Sequence, residues 1–403
     1  MHARIVMTTL FGIEAVTARE LEFLGYQREQ ITVSDGQVVL DPGEQWQDVI
    51  QAVAILNIHL ATAERVLLQI AAFEAKTFDR LFDQTRLVEW ENWVPDGFAF
   101  IVNGYSRQSE LFGIPACQSL IKKAVVDRLL EHKGLNSGSH LPEDRSLGLI
   151  RIQFGIVANV VHLMIDTSGD GLHKRGYRPL LHEAPIRETL AAAIIRLARF
   201  QSFEHEAFLD PLCGSGTFPI EAAMMAANMA PGLNRSFDAE HWPHVNPDTF
   251  ASVRAAARAN MKTGKPDRPM IFGSDLSARA IETARSNASR AGVSDLVEFW
   301  QADVRTLKDT GLSQQTGSDR HLIICNPPYG ERLSSIEEAE QLHMTLSRIF
   351  LDRGFPRPGI RFFILSPLKT FEEMAGGPAH KRRKLYNGMI PCTLYQYFRQ
   401  RRN

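Results

Sequence analysis

The stretch Ile-Cys-Asn-Pro-Pro-Tyr-Gly-Glu-Arg-Leu, residues 324–333, sets an asparagine, two prolines and a tyrosine directly behind an apolar run. Proline removes a backbone donor and pushes the residue before it out of the helical region. The pair therefore ends a strand sharply and holds Asn326, Pro327, Pro328 and Tyr329 in a stiff loop. Such a loop suits work on a nucleobase amine. The lone pair of that nitrogen is delocalised into the ring, and hydrogen bonds that accept both of its protons favour a pyramidal nitrogen aimed at an electrophile. The Asn326 side-chain carbonyl and the Pro327 backbone carbonyl can act as the two acceptors, and neither is a strong base. Tyr329 offers a face on which an extruded base stacks, worth roughly 1–3 kcal/mol.

Three further polar strand ends precede this one. The inferred strands Ala-Phe-Leu, Ile-Phe-Gly-Ser, Phe-Trp-Gln-Ala and Leu-Ile-Ile-Cys run in order into Asp210, Asp275, Asp303 and Asn326. In an open parallel sheet, ligands bind beyond the carboxyl ends of the strands, where successive loops converge. Within the run Asp210, Pro211, Leu212, Cys213, Gly214, Ser215, Gly216, Thr217, the two glycines let the backbone approach a ligand closely and point amides at it. Asp275, followed by Leu276, suits the hydroxyls of a ribose, and Asp303, followed by Val304, suits an adenine amino group. Asp275 lies far beyond the roughly 20-residue spacing of a dinucleotide fold, and the third glycine of that pattern is Pro219, which disfavours a nicotinamide site. A ligand with an adenine, a ribose, an amino-acid end and no phosphate fits: S-adenosylmethionine. Its sulfonium is already activated, so no metal is required.

The elements that must position these residues follow from pattern. The first fifty or so residues read as a small α+β unit with a hairpin at Asp35-Gly36. A second unit follows, with strands 66–72 and 98–102, helices 77–90 and 115–130, and a hairpin over 149–167 that closes a sheet. From Ile186 the pattern changes to strand-helix alternation, the sign of a parallel sheet with crossover helices. An irregular insertion spans Pro231 to about Trp242. The fold class is an α/β catalytic domain preceded by α+β units, divided as 1–60, 61–167, a linker 168–185, and 186–403.

Composition narrows the function classes. With 403 residues, 44% hydrophobic, 23% charged and a formal charge of -1, the chain reads as globular, with neither a disordered nor a fibrous bias. Its four cysteines lie far apart, which signals neither a zinc site nor a disulfide framework. Glu14 interrupts the apolar N-terminus where a signal peptide would need continuity, and no run approaches a membrane span, so a cytoplasmic protein without membrane contact is expected. The charge is uneven. Residues 381–403 carry seven basic residues and no acidic one, and a second basic group spans His173 to Arg178. Tyr177, Tyr386, Tyr395 and Tyr397 interleave with these bases, which points to a polyanion with stackable rings.

The motifs DPLCGSGT, GSD, QADV and NPPYGERL resemble those of class I S-adenosylmethionine-dependent methyltransferases that modify exocyclic amines, with a Rossmann-like, mostly parallel seven-stranded sheet. The leader SGDGLHKRGYRPLLHEAPIRETLAAAII and the segment APGLNR are similar to THUMP-domain RNA methyltransferases that make N2-methylguanosine in 23S ribosomal RNA. The resemblance implies that residues 1–60 form a ferredoxin-like domain and 61–167 a THUMP domain, which together grip RNA. It also implies that Arg187, Glu188 and Thr189 lie beside the cofactor. Lys122, Lys123, Lys174, Arg175, Tyr177, Arg178, Lys381, Arg382, Arg383 and Lys384 are the candidate RNA contacts, with ribosomal RNA or an assembly intermediate as partner. Transfer-RNA guanine methyltransferases share the plan, and Asn-Pro-Pro-Tyr also serves adenine, cytosine and protein amides. A non-catalytic RNA-binding or ribosome-assembly factor is the alternative from another class. Because of the basic clusters, RNA affinity should fall by roughly 0.7 log units per decade of salt for each phosphate contact on a single strand. Filter binding across a salt series checks this, and a flat response would leave these cations facing only solvent.

Overall fold

The structure, a computed structural model, describes residues 3–136, 138–178, 186–200, 206–262, 270–307, 309–328 and 336–399. The first half contains β1 (Arg4–Thr9), α1 (Glu14–Phe23), β2 (Ile31–Ser34), β3 (Gln37–Leu40), α2 (Trp46–His59), β4 (Ala63–Glu74), α3 (Phe78–Arg86), β5 (Phe98–Arg107), α4 (Ile114–His132), β6 (Asp144–Val157) and β7 (Val160–Asp166). Their strands form a seven-stranded sheet in the order β2-β3-β1-β4-β7-β6-β5. Alternation decides the faces. Ile5 and Met7 enter the main core, whereas Val6 joins Leu67 and Met164 on the other side. Strand β4 pairs with β1 on one edge and β7 on the other, so residues on both sides of position 60 share one sheet. The expectation that the second unit closes a sheet of its own is corrected here: β4 pairs along both edges, so the strands of the two units form one sheet.

The second half contains α5 (Glu188–Leu197), β8 (Ala207–Asp210), α6 (Thr217–Ala226), α7 (Pro247–Ala259), β9 (Ile271–Asp275), α8 (Ala278–Ala291), β10 (Val297–Gln301), α9 (Asp309–Thr316), β11 (His321–Cys325) and α10 (Ile336–Phe350). It continues with the short hairpin β12 (Leu351–Asp352) and β13 (Phe355–Pro356), then β14 (Ile360–Ser366), α11 (Phe371–Met374), β15 (Lys381–Asn387) and β16 (Ile390–Tyr397). The large sheet runs β10-β9-β8-β11-β14-β16-β15, with β16 antiparallel to both its neighbours and the other pairings parallel. Among the elements sequence pattern did not place are α9, α10 and β15. In β15 a run of four cations masks the alternation: Leu385 enters the core beside Ile13 and Val16, and Arg383 donates to the Gly12 carbonyl at 2.6 Å.

The two halves interlock. Ile13 and Val16 of the first lie in the catalytic core, while Leu233, Phe237, Trp242, Phe250 and Val253 of the second lie in the first core. The segment 231–242, expected as an irregular insertion, is thus a packing element. Gly232 N–H donates to the Ile58 carbonyl, and Arg151 pairs with Asp238. Buried polar links reinforce the seam. Glu20 of α1 takes Arg196 of α5 at 2.8 Å, and Glu64 of β4 takes both Arg187 and the Thr189 hydroxyl.

Burial alone would raise the Glu64 carboxyl, but hydrogen bonds from His173 and Thr189 and the charge of Arg187 bring it from 4.5 down to about 2. A folded pKa below the unfolded one stabilises fully above the unfolded value and is lost as pH falls through the folded one. Glu64 should therefore contribute on the order of 2–3 kcal/mol at pH 7, lost between about pH 5 and 2. Urea midpoints at pH 7, 4 and 3 should show a smaller acid loss for Glu64→Gln than for the wild type; equal losses would clear Glu64 of this role.

Candidate functional site

The site is assembled by strand register. Ile323 of β11 lies opposite Leu209 of β8, Asp210 opposite Gly273 of β9, and Gln301 of β10 opposite Asp275. Counting on from these pairs puts Asn326, Leu212 and Asp275 at one level, with Asp303 two residues further on. All four loops therefore leave one rim, adjacent strands being about 4.8 Å apart.

At the first strand end, Asp210 is buried, and its carboxylate accepts from the Leu212 amide at 3.0 Å. The chain then turns through Gly214 (φ +51) and Gly216 (φ +84), both left-handed, and α6 begins at Thr217. Nothing stands within 4 Å of where a Gly214 side chain would be, which leaves the backbone open to a ligand. Pro211 and Cys213 are buried within the turn, where burial pushes the Cys213 thiol well above its ordinary value.

Asp275 ties this turn to β9. Its two oxygens accept from the Gly214 and Ser277 amides at 3.0 and 2.9 Å, leaving further lone pairs. Leu276 is exposed beside it. Burial, with the charge of Asp275 adding to it, raises the Asp210 carboxyl well above the usual carboxylate range. Neither carboxylate has an ion-pair partner among the described residues. Beside this open glycine turn, the remaining lone pairs of Asp275 suit the ribose hydroxyls of S-adenosylmethionine.

Asp303 is arranged differently from the sequence expectation. The Arg305 guanidinium forks onto both its oxygens at 2.6–2.9 Å, and the Arg305 amide adds a fourth bond. The side-chain hydrogen bond from Arg305 is the first cause holding the Asp303 carboxyl below its ordinary value. Its acceptors are occupied, so contact with an adenine amine requires Arg305 to move. Asp303 and buried Val304 line a cavity of about 380 Å³ with Ser274, Trp300 and Gln315, beyond the ends of β9 and β10.

At the fourth strand end, Asn326 follows the buried strand β11 and precedes Pro327 and Pro328. Its Oδ1 atom is buried with no hydrogen-bond partner among the described residues. A buried acceptor without a partner costs free energy, and among such atoms in the chain this one stands at the end of a strand on the rim shared with the glycine turn. Tyr329 lies outside the described residues.

The remaining expectations divide. Glu188 is buried and held by Arg178 at 2.8 Å, and Arg178 also reaches the Thr217 hydroxyl at 3.3 Å at the start of α6. Arg187 and Thr189 bind Glu64 of the first unit, so in this conformation they serve the seam. Arg175 and Tyr177 are corrected as RNA contacts: both are enclosed, with Arg175 3.5 Å from Glu221 of α6 and the Tyr177 hydroxyl 3.1 Å from it. Tyr395 and Tyr397 are likewise buried, inside the sheet. Lys122, Lys123, Lys174, Lys381, Arg382 and Lys384 are exposed, whereas Arg383 is half-buried against Gly12. Glu221, Glu64 and Arg305 were missed, since a carboxylate inside an apolar helix or at the start of a strand, or an arginine after a turn, has no distinguishing pattern.

A seven-stranded sheet of this order, with a glycine turn after one strand and Asn-Pro-Pro after its neighbour, defines a methyltransferase that uses S-adenosylmethionine. The chain belongs to the UPF0020 family, the RMKL-like methyltransferase domain, whose model matches residues 175–396, and it carries an RlmL ferredoxin-like domain at 4–67 and a THUMP domain at 75–137. It is 37% identical over 398 residues to the "Putative RNA methyltransferase YpsC" of Bacillus subtilis, covering 98% of this chain and 95% of that protein. Identity is 34% over 341 residues to the ribosomal RNA large subunit methyltransferase K/L of Vibrio parahaemolyticus, covering 83% of this chain but 46% of that one. The chain thus spans about half the length of the K/L enzymes. Two solved structures are similar throughout. One is SMU.472, a putative methyltransferase complexed with S-adenosylhomocysteine (TM-score 0.84, 35% identity, 100% of both chains). The other is a predicted N6-adenine-specific DNA methylase of Listeria monocytogenes (TM-score 0.83, 37% identity, 98% and 96% covered).

Asp275→Ala should weaken S-adenosylmethionine binding, by roughly 10-fold or more for loss of a charge-assisted hydrogen-bond partner. Titration calorimetry checks this, and an unchanged dissociation constant would remove Asp275 from the ribose role.

Proposed function

We propose that the chain transfers a methyl group from S-adenosylmethionine to the exocyclic N2 amine of a guanine in RNA, in large-subunit ribosomal RNA of the cytoplasm. The Asn326 oxygen, buried and without a partner among the described residues, carries this reading. A buried acceptor of this kind, stiffened by two prolines and facing the same rim as the glycine turn, is a receptor for an NH2 group. The bound cofactor supplies a methyl already activated on a sulfonium. The work left to the protein is geometric. Asn326 Oδ1 and the Pro327 carbonyl accept hydrogen bonds from the two amine N–H groups and turn the nitrogen lone pair toward the methyl, so that the N–C bond forms as the S–C bond breaks, S-adenosylhomocysteine leaves and the methylated nitrogen releases one proton to water. Gly214, Gly216 and Asp275 position the donor, and the loop's dipoles stabilise the charge that develops on nitrogen.

RNA as substrate is supported by the THUMP match and by the relatives named as RNA methyltransferases, and ribosomal RNA by the K/L enzymes. The name of the Listeria structure favours a second reading, adenine N6, since the motif recognises the amine rather than the ring. Nucleosides decide between them. Ribosomal RNA from a strain lacking the gene, incubated with the purified chain and labelled cofactor and then digested for mass spectrometry, should yield N2-methylguanosine. N6-methyladenosine would establish the adenine reading instead, and label confined to transfer RNA would move the substrate.

Asn326→Ala should lower the single-turnover rate about 10²–10³-fold, as for loss of one positioned transition-state partner. Cofactor affinity should be retained. Near-wild-type turnover would show that the orphaned oxygen plays no part.

A further inference from the structure

Strand β15 runs parallel to β11, so its carboxyl end reaches the same rim as Asn326. Register links Cys325 to Ile364, Tyr395 and Arg382 across three strand spacings, which is roughly 14 Å. Beyond Arg382 on that edge come Lys384 and Tyr386, and then a two-residue turn whose Met389 is 93% exposed and whose next residue, Ile390, is also exposed. The loop after β1 in the first unit comes to meet them. Phe11, 53% exposed, sits edge-on to the Tyr386 ring at 6.3 Å. Its ring is held from beneath: a side chain at Gly36 would meet it at 3.2 Å. The Gly12 backbone lies against the Lys384 carbonyl, where an added side chain would clash at 2.5 Å. The Lys384 ammonium lies 5.6 Å from the Tyr386 ring and has no carboxylate partner among the described residues.

We propose that Phe11, Tyr386, Met389 and Ile390 form a stacking platform for unpaired bases of the RNA strand flanking the target nucleotide, with Lys384 on the adjoining phosphate. Two rings fixed from opposite halves of the chain, Phe11 exposed and Tyr386 half-buried with the Lys384 ammonium beside it, match how single strands are held without sequence readout. The apolar hairpin tip adds a wedge of the kind that separates neighbouring bases. A nucleotide whose base leaves its stack exposes the faces of its neighbours, and a platform on the same rim covers them. This inference rests on RNA being the substrate of the Asn326 loop.

Fluorescence anisotropy with a labelled 12-nucleotide single-stranded RNA and with a blunt duplex of equal length tests it. Phe11→Ala with Tyr386→Ala should weaken single-strand binding about 10-fold or more, stacking being worth roughly 1–3 kcal/mol per base. Duplex binding should change less than 2-fold. Phe11→Ala alone removes an exposed ring and should give part of the loss, and Phe11→Trp should restore wild-type affinity. Equal single-strand affinity in all variants overturns the platform and leaves the patch to a protein partner. Equal losses on strand and duplex also overturn it. Failure of the wild type to make N2-methylguanosine would overturn the proposed reaction instead, because oligonucleotide binding needs no chemistry.

Discussion

A guanidinium only 5% exposed needs a compensating charge, and the partners of Arg175 govern how the two halves meet. It donates to the Leu172 and Ala61 carbonyls on the side of the first sheet and faces Glu221 on α6 on the other. Helix α6 is the one entered from the glycine turn. The seam between the halves is therefore also a support for the cofactor loop, and removing one partner of such a pair strands the other charge. Arg178 extends the same support by holding Glu188 and reaching Thr217. The basic leader before the catalytic half is mostly an internal brace and only in part a surface.

The proposed chemistry at the rim asks little of side-chain acidity. No strong base stands at the Asn326 loop among its described residues, and the acids in the glycine turn are buried or hydrogen-bonded to backbone amides. Rate enhancement on this plan comes from placing carbonyl dipoles and a weak nucleophile correctly, not from moving a proton early. That explains why Pro327 and Pro328 stiffen one strand end while glycines at another permit a left-handed turn.

Sequence pattern read well where one physical rule acted alone. The polar strand ends were legible because apolar runs stop abruptly at Asp210, Asp275 and Asn326, with Asp303 two residues beyond the end of β10, and parallel register then brings them together. The Asp35-Gly36 hairpin was legible because only a turn wants that pair. Pattern failed where tertiary context overrode local signal. Tyr395 and Tyr397 sit among cations in sequence but alternate into the core in space. Arg175 and Tyr177 look like a surface patch until Glu221, far along the chain, meets them. The Arg305 fork over Asp303 depends on a turn geometry that composition does not encode.

The segment from Leu233 to Val253 belongs by chain order to the catalytic half and by packing to the other. Exchange of the N-terminal half with that of an unrelated protein would uncover Phe237, Trp242 and Phe250 and leave their former pocket unfilled. The shared core makes the halves co-inherited: drift in one packing surface must be answered across the seam, so lineages carrying this arrangement should diversify in their loops before they recombine their domains.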